Sequence, residues 1–124
     1  MKSLLASFLV ALAATAYSQA AEPPAEAKAS SAALMAAIAT GDFEAFRVQG
    51  DENFSKAITE DLFGKVHAQM QPRLKVGYEM TYLADLNRQG HKVTLWKLTF
   101  KDGGDDALAT LSMKDGKVAG FLIQ

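Results

Sequence analysis

The chain has 124 residues, 49% of them apolar, and a formal net charge of -1, which is length for one domain and material for a real core. The near-neutral, mixed-sign balance argues against nucleic acid as a main partner, because phosphate binding needs a basic stripe. The absence of cysteine excludes disulfides, thiolate nucleophiles, zinc–cysteine and iron–sulfur sites, and an acylated N-terminal cysteine.

Residues 1–20 read as a secretory signal peptide. Lys2 supplies the positive start, Leu4 to Ala14 an apolar run, and Ser18-Gln19-Ala20 the small residues of a cleavage site. The run is too short to span a bilayer, and Glu22-Pro23-Pro24 discourages a helix from continuing through it. The expectation is a periplasmic or secreted protein with no membrane contact after cleavage. Residues 21–29, rich in Ala, Glu, Pro and Lys, read as a flexible arm.

Residues 30–124 carry the folded domain. From Ser30 to Thr40 the spacing is helical, with Leu34, Ala37 and Ile38 on one face and Ser30 or Ser31 as cap. Gly41 stops that helix and Asp42 caps a short second one holding Phe43 and Phe46. Phe54 and Ile58 share one side of a further turn. Thr59-Glu60-Asp61 starts the longest helix, whose stripe is Leu62, Phe63, Val66 and Met70, and Pro72 is expected to end it.

Beyond Pro72 the period changes to two. Leu74, Val76, Tyr78, Met80, Tyr82, Ala84 and Leu86 alternate with polar or small residues for most of the run. The expected turn is Asn87-Arg88-Gln89-Gly90. A second strand runs from His91 to Lys101, a third from Ala107 to Met113 and a fourth from Val118 to Ile123, with Asp115-Gly116 the clearest hairpin signal. Helices first and an antiparallel meander after them is an α+β pattern: N-terminal helices on a four-stranded antiparallel sheet. In the second strand Val93 and Leu95 point one way and Trp96, Leu98 and Phe100 the other. Such a sheet either curls around a cavity or meets a second subunit on its outer face.

Two stretches carry a family resemblance. Ala36-Ala37-Ile38-Ala39-Thr40-Gly41-Asp42-Phe43-Glu44-Ala45-Phe46 resembles the opening of the nuclear-transport-factor-2-like (cystatin-like) superfamily. Leu95 to Phe100, Asp102-Gly103, Leu111 and Lys114-Asp115-Gly116-Lys117-Val118-Ala119-Gly120-Phe121 resemble the tail of small secreted bacterial domains in it. The resemblance implies a cone of three helices packed into a strongly bent sheet, a pocket on the concave side and a dimer on the convex side. Its members include isomerases, cyclases and pure binding modules, so the fold alone does not choose among them.

The pocket candidates are Phe63, His67, Tyr78, Tyr82, Trp96 and Phe100. Tyr78 and Tyr82 share a strand face, while Asp85 has the opposite parity and is expected to point away from them. His67, on the long helix, is the candidate base; His91 follows a turn glycine and is expected at the surface. The two histidines have no ligand spacing, and Asp102 to Asp106 lacks the pattern of a calcium loop. Ser55, Thr110 and Ser112 lie in no nucleophile elbow. With no catalytic set, metal or cofactor indicated, the expected function is an exported non-catalytic module that binds a small apolar ligand or a protein partner as a homodimer. The alternative is a small isomerase- or cyclase-type enzyme using a pocket His or Asp with Tyr.

Overall fold

The computed structural model describes residues 22–124; the leader reading lies outside them. Four helical segments come first: α1 (Ala25–Thr40), α2 (Phe43–Arg47), α3 (Glu52–Ala57) and α4 (Glu60–Val76). Four strands follow: β1 (Tyr78–Arg88), β2 (His91–Phe100), β3 (Ala107–Lys114) and β4 (Lys117–Ile123). The strands form one antiparallel sheet in the order β1-β2-β3-β4, so the sheet is open, with β1 and β4 at its edges. The expected α+β class is the observed one.

Two boundaries differ from the sequence reading. The arm expected over residues 21–29 is helical from Ala25 onward. Pro24 precedes the helix in an extended conformation and its carbonyl accepts the Lys28 N–H at 3.0 Å. The Pro pair therefore starts α1, and the Ala-rich run behind it has high helix propensity. Ala27 is 2% exposed and begins a buried stripe that continues through Ser31, Leu34, Met35 and Ile38. Ser31 is thus no cap; its hydroxyl donates to the Lys28 carbonyl within the helix.

The second difference is Pro72, which lies inside α4. A proline removes one i→i−4 hydrogen bond and crowds the preceding turn, but it does not end a helix that packing continues to hold. Leu74 extends the stripe of Phe63, Val66 and Met70 and is 5% exposed. Leu74 and Val76 are therefore helical, and the alternating strand begins at Tyr78, after Gly77 turns the chain at φ 127°.

The other stops follow local chemistry. Gly41, at φ 75°, closes α1 with its N–H on the Ala37 carbonyl. Asp42, Asp51 and Thr59 accept backbone N–H groups at the starts of α2, α3 and α4. Gln89-Gly90 and Asp115-Gly116 have positive φ at both central positions, the geometry that matches the twist of a two-residue hairpin.

The helices cover one face of the sheet. Leu34, Met35, Ile38, Phe46, Phe54, Phe63 and Leu74 pack with Trp96, Leu98, Phe100, Ala109, Leu111, Met113 and Val118 in a single core. Phe46 is the hinge of an aromatic cluster, with ring centroids 5.1 Å from Phe63, 5.5 Å from Phe54 and 6.4 Å from Phe121. The segment before α3 seals the start of β4: Val118 donates to Gln49 at 3.0 Å, and Asp51 donates to Val118 at 2.9 Å. No helix among the described residues is long and apolar enough to cross a membrane.

Candidate functional site

The six residues expected to line a pocket do not form one site. Phe63, Trp96 and Phe100 are 3–4% exposed and belong to the packed core. Tyr78 and Tyr82 are half-buried at the margin of that core, opposite Phe100 and Trp96 in the β1–β2 ladder. Burial raises the Tyr78 hydroxyl above the usual tyrosine pKa. The Trp96 indole N–H donates to the Thr94 hydroxyl at 2.9 Å, both residues being buried, so its polar atom is satisfied inside the core.

His67 is set apart from the tyrosines. Its Nδ1 lies 2.6 Å from the Ile38 carbonyl near the end of α1, and its ring stands beside Gly41, where an added Cβ would come within 3.0 Å of Nε2. The ring therefore ties α4 to the last turn of α1. Phe100 carries the Arg73 guanidinium 3.7 Å above its ring. Arg73 also donates to both Asp102 carboxylate oxygens and to the Asp105 carbonyl, which fastens the β2–β3 loop to α4. Its nearness holds the Asp102 carboxyl below the usual aspartate range.

A bulge in β1 corrects the reading of Asp85. The ladder runs in register through Tyr82 opposite Trp96 and then resumes with Ala84 opposite Leu95, skipping Leu83. One extra residue in a strand reverses the facing of everything after it. Asp85, opposite the buried Thr94, thus falls on the helix-side face with Tyr82, while Ala84 and Leu86 move to the outer face. Desolvation first, and the Asp85 carboxylate second, raise the Tyr82 hydroxyl above its ordinary pKa. Lys92 Nζ lies 3.7 Å from Asp85. The pair Tyr82–Asp85 was not legible from strand parity; its one sequence signal is the uninterrupted apolar run Tyr82-Leu83-Ala84.

The same shift builds an apolar outer face. Leu86, Val93, Ser112 and Gly120 lie in one row across the four strands, and Ala84, Leu95, Thr110 and Leu122 in the next. Leu122 is 55% exposed, whereas Val93 is only 5% exposed although it lies outside the core cluster. Among the described residues no cluster of His, Asp and Glu has the geometry to hold a metal ion.

No family model and no curated protein matches the sequence. Among solved structures the chain is similar to one described as an uncharacterized cystatin fold protein from Novosphingobium aromaticivorans. The TM-score is 0.43 at 12% identity, covering 77% of this chain and 94% of that one. The observed order, helices followed by an open four-stranded antiparallel meander, is consistent with a cystatin-like fold.

Proposed function

We propose that the chain is an exported, non-catalytic binding module of the nuclear-transport-factor-2-like kind, and that it works as a homodimer through the outer face of its sheet. The observation that carries this reading is the placement of Leu86, Leu95 and Leu122 on the face no helix covers, with Leu122 more than half exposed. A protein partner suits this better than a small apolar ligand in the interior, since Phe63, Trp96 and Phe100 are buried in the packed core.

A second copy is the partner that the face itself fits. Leucines at both sides of a floor of Thr110, Ser112 and Gly120 make a surface that complements its own rotated copy, as an isologous interface requires. Four strands at about 4.8 Å spacing and about eight residues of length give roughly 500 Å² in projection, below the ~800 Å² per partner of a standard interface. The pairing is therefore weak and concentration-dependent. Light scattering across micromolar concentrations is expected to give a doubled mass that falls on dilution, and Leu122→Asp is expected to hold the protein at monomer mass. A monomer at every concentration overturns the reading.

A second reading, the isomerase- or cyclase-type enzyme, is favoured by the placement of Asp85 on the Tyr82 face. It requires the two groups to sense each other, which a pH titration of Trp96 emission in the wild type and in Asp85→Asn measures.

A further inference from the structure

The outer face of the sheet ends, beside the two hairpins, in a concavity of about 230 Å³. Val93, Ala119 and Gly120 form its apolar part, and Arg88, His91 and Ser112 its polar wall. Arg88 and His91 are direct cross-strand partners flanking the Gln89-Gly90 turn, so their side chains rise on one face within contact of each other. His91 Nδ1 sits 3.1 Å from the Gln89 carbonyl, which anchors the ring to the turn. Arg88 makes no ion pair among the described residues.

The apolar part is kept open by a glycine the fold does not require. The β3–β4 ladder pairs Ser112 with Gly120 and Met113 with Val118, so it skips Ala119 and bulges there. Gly120 does not have positive φ. A Cβ added to it would meet nothing closer than the Ser112 Cβ at 3.8 Å, an ordinary contact. Glycine weakens a strand interior and often marks a bulge, which the ladder has beside it at Ala119, or a close approach by a ligand or another backbone. Neither a positive φ nor close packing requires it here, and it leaves the floor bare.

We propose that this cup binds a small monocarboxylate with a compact apolar body, its carboxylate on the Arg88 guanidinium beside His91 and its apolar end against Val93 and the bare floor at Ala119 and Gly120. A guanidinium matches a carboxylate with two parallel hydrogen bonds. The concavity exceeds the volume of about 150 Å³ at which an enclosed apolar cavity accepts a benzene ring, so it has room for a ring or a short branched chain with the acid on a one-carbon arm. The inference goes beyond the pairing proposed above and does not require it, because every group named belongs to one chain; Ser112 and Gly120 also lie on the pairing face, so ligand and second copy compete for them.

The test is a titration of the full-length, nitrogen-labelled protein with sodium phenylacetate, and separately with phenylacetamide, followed by amide chemical shifts. It is run on the wild type and on Leu122→Asp. Saturable shifts centred on Val93, Ser112, Ala119 and Gly120 are expected in both proteins, with the acid binding about tenfold tighter than the amide, the scale of one charge-assisted hydrogen bond. Gly120→Val fills the floor and is expected to abolish binding while the melting temperature holds or rises. Arg88→Gln is expected to bring the acid down to the affinity of the amide.

No saturable shift, shifts centred elsewhere, equal affinity for acid and amide, or full affinity in Gly120→Val overturns the proposal. Should Gly120→Val fail to fold, Arg88→Gln decides alone, since Arg88 is exposed and outside the core. Binding by the wild type and not by Leu122→Asp overturns the single-chain cup and leaves the pairing standing; binding by both supports the cup whatever the subunit number.

Discussion

At the scale of single residues, the pair set most directly by backbone register is Tyr82 and Asp85, on one face of the sheet. The cause is geometric: one bulged residue, Leu83, places the carboxylate on the phenol's face. A negative charge near a phenol opposes its ionisation, and partial loss of hydration opposes it further. Desolvation is the larger cause for Tyr82 and Asp85 the smaller, so neutralising the carboxylate removes part of the rise. Asp85→Asn is expected to lower the apparent tyrosine pKa without returning it to the ordinary value. Trp96 supplies the readout: its ring centroid is 5.5 Å from that of Tyr82, and an ionised phenol drains excitation from an adjacent indole. Quenching of Trp96 emission with rising pH should begin earlier in Asp85→Asn than in the wild type. Coincident curves would mean that the two groups do not sense each other, and the enzyme reading would lose its pair.

At the scale of elements, α4 carries an instructive tension. Pro72 is exposed in the helix while Leu74, two residues on, is buried in the core. A mid-helix proline costs up to about 3 kcal/mol relative to alanine, and core packing around Phe63 and Leu74 outweighs that cost. Pro72→Ala restores an N–H to the ladder at a position that touches no core, and is expected to stabilise the protein by about 1–3 kcal/mol, read from urea denaturation. Destabilisation would mean that α4 ends where the proline stands. The same helix shows what was legible. Caps at Asp42 and Thr59, the Gly41 stop, the Asp115-Gly116 turn and the order of helices before strands are all local signals, and the structure has each of them. The end of α4 and the β1 bulge are not local. Leu74 fits both a helical stripe and an alternating strand, and only the core decides between them; Leu83 is extruded because β1 must meet β2 on both sides of it. The candidate site suffered most, since its aromatic residues read alike whether they line a cavity or fill one. The concavity beside the hairpins has no sequence signal, because its floor is made of what is missing at Gly120.

At the scale of the whole molecule, stability rests on one core. The chain has no cysteine and so no disulfide, and α1, α2, α3, α4 and all of β2, β3 and β4 contribute side chains to a single apolar cluster. Elements that share one core cannot lose it separately, which is the condition for all-or-none unfolding in a small domain. Trp96 is the sole tryptophan, 4% exposed, and its N–H is satisfied by Thr94 within that core. Its emission therefore reports the interior, while ellipticity in the far ultraviolet reports helices that lie on the other side of the same contacts. The two signals are expected to change together in urea with one midpoint and a slope of about 1–2 kcal/mol per molar, the range for a chain of this size. The alternative has a definite signature. Were α1 and α4 a separate layer resting on a preformed sheet, ellipticity would fall before the indole reached water. The membership of Leu34, Met35 and Ile38 in the same core cluster as Leu98, Ala109 and Leu111 argues against such a division, because exposing the helices would strip the sheet of the surface that keeps Trp96 dry.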